Sequence, residues 1–129
     1  MHTICADLGS TITKIIEVDE NNKIINKNIY QKEEPKKLLK NFIESNNVKT
    51  ESIEAIIITG VGTIEEQEFL KIPVLYIDEF KAIGLGGLTA SNKQNAIIAS
   101  IGTGTAFIRA NKNEIKHLGG SRSWWRRIL

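Results

Sequence analysis

The fold turns on the stretch Thr3-Ile4-Cys5-Ala6-Asp7-Leu8-Gly9-Ser10-Thr11-Ile12-Thr13-Lys14. Residues 3–7 are a short apolar run that ends on a carboxylate, and a glycine follows, which is the pattern of a strand entering a tight turn. β-Branched residues resume over 11–18, and 23–30 makes a third strand candidate. Asp19-Glu20-Asn21-Asn22, between the second and third runs, has the composition of a hairpin turn. Three consecutive antiparallel strands are predicted at the N-terminus.

Beyond them, Pro35 opens a helix in which Leu38, Leu39, Phe42 and Ile43 recur at helical spacing, and Ser45-Asn46-Asn47 ends it. Residues 53–59 (IEAIIIT) read as a strand buried on both faces, 64–70 as a short helix, and 74–77 as another buried strand. Asp78 caps a predicted helix that runs to about residue 90. Gly84, Gly86 and Gly87 would each weaken that helix by about 1 kcal/mol relative to Ala, so they are read as close packing against another element. Residues 91–95 are polar and read as a connection between lobes, after which strands are predicted over 96–100, 105–110 and 114–118, with a turn at 111–113. The expected organisation is a lobe over 1–92 with the order βββαβαβα, the opening strands of a second lobe over 93–120, and a tail over 121–129.

Three constellations carry chemistry. At the first turn, Gly9 allows close approach of the main chain, while Ser10 and Thr11 supply hydroxyls and backbone N–H donors, a combination suited to phosphate. Asp7, at the strand end, can hold Mg²⁺ through water, because a hard cation prefers oxygen. Lys14 can add a point charge. An ordinary hairpin with a D-x-G turn is the other reading of these residues. The second constellation, Ser100-Ile101-Gly102-Thr103-Gly104-Thr105-Ala106, again follows an apolar strand and places Thr103 between two glycines. Two such turns, one per lobe, are expected to face each other across a cleft and hold a polyphosphate. In the third, Asp78-Glu79 starts a helix, where a carboxylate can take the proton of an attacking hydroxyl or simply complement the helix dipole.

Composition excludes several classes. The chain has 129 residues, 41% apolar, with 17 basic against 15 acidic side chains and a net charge of +2. That suits a packed core and lacks the concentrated basic face of a nucleic-acid protein. A single cysteine, Cys5, excludes a disulfide framework within the chain and argues against a thiolate zinc site. No leader-like or membrane-spanning run is visible, so a soluble, cytoplasmic protein without nucleic-acid or membrane partners is expected.

The motif DLGSTITK resembles the first phosphate motif of the sugar-kinase/actin/Hsp70 superfamily, and the element order resembles its ribonuclease-H-like lobe. Residues 57–120 are similar to type II pantothenate kinases through ITGVG, IDEFKAIGLGGL and SIGTGTAF followed by HLGG. The resemblance implies ATP- and Mg²⁺-dependent phosphorylation of pantothenate, the first committed step to coenzyme A, by a homodimer. It implies Asp7, Gly9, Ser10, Thr11 and Lys14 in the first phosphate motif, with Asp7 toward Mg²⁺. Glu79 matches the catalytic carboxylate, and Gly102, Thr103 and Gly104 match the second motif, with Thr103 also toward substrate. The sequence departs from the family at Ala106, where a serine is usual, and at His117, where an arginine often binds the pantothenate carboxylate.

A glycine-rich run follows HLGG in that family, whereas here Ser121-Arg122-Ser123-Trp124-Trp125-Arg126-Arg127-Ile128-Leu129 follows. Glycine codons read one base out of frame give Trp and Arg, so the tail is expected to be an out-of-frame remnant on a truncated kinase that is inactive alone. An amphipathic tail that docks on a partner or membrane surface is the alternative. Two other functions compete with the kinase. One is an ATPase activator of radical dehydratases, which shares the D-x-G-S-T opening and bridges an iron–sulfur cluster with cysteines. The other is a non-catalytic lobe that dimerises through exposed sheet edges or exchanged elements.

Overall fold

A computed structural model describes residues 1–102 and 104–120; Thr103 and the expectation for the tail over 121–129 lie outside the described residues. The three N-terminal strands form as predicted: β1 (His2–Leu8), β2 (Ile12–Val18) and β3 (Ile24–Gln31), each antiparallel to the next. The turn between β2 and β3 is built by Asp19, whose carboxylate accepts from the Asn21 and Lys23 amides at 2.9 Å each, with Asn22 at φ 62°. The Lys23 amide, foremost among these partners, holds the Asp19 carboxyl below its ordinary range.

Helix α1 (Pro35–Ser45) starts where proline can, at its first position. Glu34 caps it, accepting from the Lys36 and Lys37 amides at 3.2 and 2.9 Å. Leu38, Leu39, Phe42 and Ile43 form its buried face. They pack on Ile4, Ala6 and Leu8 of β1, Ile15 of β2, and Ile53, Ile56 and Ile58 of β4 (Ile53–Gly60), which lies parallel to β1. A 3-10 turn, Thr50–Ser52, leads into β4.

After β4 the structure departs from the sequence expectation. Residues 64–70 form no helix; they make a loop and then the two-residue strand β5 (Glu68–Phe69), which turns back into β6 (Ile72–Tyr76). Leu70 and Lys71 sit at φ 52° and 64°, a left-handed pair that closes the hairpin without glycine or asparagine. The six strands form one sheet in the order β3-β2-β1-β4-β6-β5, with β6 parallel to β4. Burial on both faces of β4 and β6 was expected, yet α1 covers only one. On the other face Ile57 and Thr59 are half-buried and Leu75 is exposed.

Among the described residues, those from 78 to 120 form a second compact unit, distinct from the first, residues 1–77. It contains α2 (Glu79–Ser91) on a three-stranded meander, β7 (Asn95–Ile101), β8 (Thr105–Asn111) and β9 (Ile115–Gly120). The helix expected to close a lobe ending at residue 92 therefore belongs with the strands that follow it. Its glycines account for this. A Cβ on Gly84 would meet Ile115 Cδ1 at 2.8 Å, and one on Gly87 would meet Ile98 Cγ1 at 2.5 Å, so both mark where helix and sheet approach too closely for a side chain. Gly86 has nothing within 4 Å. The expected inter-lobe connection over 91–95 is instead the end of α2, where Asn92 in the left-handed conformation (φ 56°) caps the helix and turns directly into β7. The predicted turn over 111–113 is present, with Asn111 Oδ1 accepting from the Asn113 and Glu114 amides at 2.8 and 2.9 Å.

Candidate functional site

In the first unit the carboxyl ends of the parallel strands β1 and β4 lie side by side. Register places Asp7 between Lys14 of β2 and Thr59 of β4. These three therefore make a row across three strands, on the sheet face opposite Ile4, Ala6 and Leu8. Lys14 is exposed, while Asp7 and Thr59 are half-buried. The Gly9-Ser10-Thr11 turn follows directly. A Cβ on Gly9 would stand 2.6 Å from the Ile12 carbonyl oxygen, so the tightness of this turn demands glycine. The Lys32 amide donates to the Thr11 carbonyl at 3.2 Å and ties the turn to the end of β3.

A second glycine turn closes on the same strand end. Gly60 has φ +98°, and a Cβ there would sit 2.5 Å from the Leu8 carbonyl oxygen and 3.0 Å from Asp7 Oδ1. The Val61 and Gly62 amides both donate to the Leu8 carbonyl, at 2.9 and 3.2 Å. The Tyr76 hydroxyl donates to the Gly60 carbonyl at 2.8 Å and fixes this turn to β6. The sequence marked ITGVG (residues 58–62) only as a piece of the family resemblance, with no site role for Thr59 or Gly60, and Tyr76 was not singled out. The available signal was a G-x-G after a second apolar strand.

The Thr59 hydroxyl oxygen is shielded from solvent and makes no hydrogen bond among the described residues. Such an orphaned oxygen next in register to a carboxylate suits a hydrated hard cation. Among the described residues no group of three or more His, Cys, Asp or Glu side chains is placed to hold a metal. The site thus fits Mg²⁺ as it is commonly carried, by one carboxylate, water and a ligand's phosphate oxygens, and not by an all-protein cage.

In the second unit Asp78 caps α2, its carboxylate accepting from the Lys81 amide at 3.1 Å, and Glu79 is the first helical residue. Phe80, next in sequence, stacks on the His117 ring with centroids 4.4 Å apart and planes 24° from parallel. Beside them lies a groove of about 590 Å³ whose lining includes Asp78, Phe80, Lys81, Glu114 and His117, so both charge signs are available to a small polar ligand. At the β7–β8 turn the Gly102 amide donates to the Gly104 carbonyl at 2.8 Å. The space a Cβ would take on Gly102 is open, the nearest atom being Gly104 O at 3.9 Å, so packing does not require glycine there. Ala106 is fully buried under α2 with Ile108 and offers no hydroxyl.

Cys5 lies mid-strand in β1, paired with Ile16 and Ile57, and burial pushes its thiol pKa up. Among the described residues no helix is long and apolar enough to cross a membrane.

No protein-family model matches the chain, and no curated protein matches it. Solved structures do. The activator of 2-hydroxyisocaproyl-CoA dehydratase from Clostridium difficile, with bound ADPNP, is 17% identical with a TM-score of 0.68, over 94% of this chain and 45% of that one. A ROK family glucokinase from Streptomyces griseus, in complex with glucose and AMPPNP, is 16% identical at a TM-score of 0.66, over 90% and 46%. A putative 2-dehydro-3-deoxygalactonokinase from Sinorhizobium meliloti is 12% identical at 0.66, over 98% and 56%. The chain thus spans about half the length of each. These likenesses give the fold: the chain has the α/β, ribonuclease-H-like architecture of the actin-like ATPases.

Proposed function

We propose that this chain supplies the phosphate-holding part of an ATP- and Mg²⁺-dependent phosphotransferase, with pantothenate as the acceptor. The observation that carries the proposal is the row Lys14–Asp7–Thr59 leading into the sterically required Gly9 turn, at the carboxyl end of parallel strands. Ligands of open α/β sheets bind outside such strand ends. In this reading Gly9, Ser10 and Thr11 present donors to phosphate, Lys14 adds charge, and Asp7 orients Mg²⁺ through water. That ion would neutralise charge on the transferring group.

Glu79 serves as the base toward the acceptor hydroxyl, and His117 recognises the acceptor's carboxylate from its stack on Phe80. By the resemblance, Gly102, Thr103 and Gly104 are the second phosphate motif, with Thr103 also toward substrate. Pantothenate itself is supported by the likeness of ITGVG, IDEFKAIGLGGL and SIGTGTAF–HLGG to type II pantothenate kinases, and a homodimer is proposed on the same ground. The solved relatives in fold are about twice as long, and in this reading the chain itself binds MgATP. Equilibrium dialysis of labelled pantothenate with AMPPNP and Mg²⁺ tests the acceptor assignment. Saturable retention that Glu79→Gln and His117→Ala weaken supports it, and no retention refutes it.

The dehydratase-activator reading is favoured by one observation, the likeness to a solved activator over 94% of this chain. Cys5 opposes it, being the single cysteine of the sequence and held mid-strand in β1 where such a cluster is bridged by cysteines. Iron analysis after anaerobic purification separates the two, since only the activator binds iron.

A further inference from the structure

The Thr59 hydroxyl has no role in the fold. It is shielded, unbonded among the described residues, and set beside Asp7 by the parallel register of β1 and β4. Buried hydroxyls are ordinarily satisfied, because an unmade hydrogen bond forfeits solvation without return. A valine of the same shape would keep the β-branched packing and remove the unsatisfied atom. The surrounding turn is also built to hold this spot. Gly60 takes φ +98° within 3.0 Å of Asp7 Oδ1 for its missing Cβ, and the Tyr76 hydroxyl clamps the Gly60 carbonyl at 2.8 Å. A positive-φ glycine and a tyrosine clamp thus keep the backbone that follows Thr59 against the Asp7 carboxylate.

We propose that Thr59 is a positioning residue of the cation site, its hydroxyl accepting a hydrogen bond from a Mg²⁺-bound water that Asp7 also orients. This rests on the phosphotransferase reading above and deepens it. The cation's waters are donors, and the two oxygens of neighbouring strands offer adjacent acceptors, so one bound water can be fixed without either side chain entering the coordination shell. Tyr76 acts one step further out, by holding the Gly60 turn.

Two measurements on the full chain test this. The first is the thermal midpoint of the ligand-free protein. Thr59→Val is expected to leave it unchanged or raised, since it removes an unsatisfied group; a clear fall would mean the hydroxyl already has a structural partner and would overturn the proposal. The second is the factor by which Mg²⁺ tightens ATP binding, measured by calorimetry with and without the ion. Thr59→Val is expected to cut that factor by about three- to tenfold, and Thr59→Ser to retain it. If Thr59→Val keeps the full Mg²⁺ effect, this inference fails while the nucleotide reading stands. If the wild-type chain shows no Mg²⁺-dependent ATP binding, both fail.

Discussion

Helix α2 carries Glu79, so whatever seats α2 on its sheet also aims the candidate catalytic carboxylate. Three glycines in one helix permit an internally controlled test of that seat. Replacing any of them with alanine should gain about 1 kcal/mol from helix propensity alone. At Gly86 nothing lies within 4 Å of the added Cβ, so the gain is realised in full. At Gly87 the methyl would stand 2.5 Å from Ile98 Cγ1 and 2.6 Å from Cδ1, and at Gly84 it would stand 2.8 Å from two Ile115 carbons. Ile98 is β-branched and stiff, so relief requires the helix to lift, an overpacking cost of about 1–3 kcal/mol. Gly86→Ala should therefore be the most stable of the three. Gly87→Ala should trail it by about 1–3 kcal/mol, or roughly 4–12 °C in melting temperature for a chain of this size. Gly84→Ala should also trail Gly86→Ala, since one of the two Ile115 carbons it meets is the Cγ2 methyl on a stiff β-branch. Urea and thermal unfolding read the order directly. If Gly84→Ala and Gly87→Ala stabilise as much as Gly86→Ala, the helix is not seated on this sheet, and its assignment to the second unit is wrong.

Glu17 is almost fully buried and accepts from His2 Nδ1 and Asn26 Nδ2 at 2.8 Å each. Glu17→Ala should cost about 1–3 kcal/mol by leaving those donors without an acceptor; an unchanged urea midpoint would refute the clamp. Cys5 should alkylate more slowly than a free cysteine at pH 8, because burial raises its pKa. Since the folded thiol keeps its proton to higher pH than the unfolded one, its contribution to stability is intact below an unfolded-state pKa of about 8.5 and is lost as pH rises through the folded value. Cys5→Ser should flatten that alkaline decline, and an identical decline in both proteins would count against it. Tyr76→Phe should lose about 1 kcal/mol with the Gly60 carbonyl bond, seen as faster amide exchange at Val61 and Gly62; unchanged exchange would rule the clamp out.

Helix α1 was legible because local chemistry agrees with its burial: Pro35 at the start, four apolar residues at helical spacing, asparagines at the end. The turns at Asp19 and Asn111 were legible for the same reason, each built by an Asx side chain on amides two to four residues on. The hairpin at Leu70 and Lys71 was not, since neither residue announces positive φ and the run Glu65-Glu66-Gln67-Glu68 is made of good helix formers. Gly84 and Gly87 signalled close packing without saying against what, since Ile98 and Ile115 come later in the chain. In the site, Asp7, Gly9 and Lys14 follow from one local strand–turn–strand pattern. Thr59 and Gly60 are marked locally only by the string ITGVG; their place beside Asp7 comes through a parallel register with residues some fifty positions earlier.

The central claim is that the Asp7 end of β1 holds a polyphosphate together with a divalent cation. Calorimetric titration of ATP into the purified chain and into Asp7→Ala, each with and without Mg²⁺, tests it most directly. Tighter binding with Mg²⁺ in the wild-type chain, lost in Asp7→Ala, is the predicted result. Equal Mg²⁺ dependence in the two proteins, or no ATP binding at all, would contradict it.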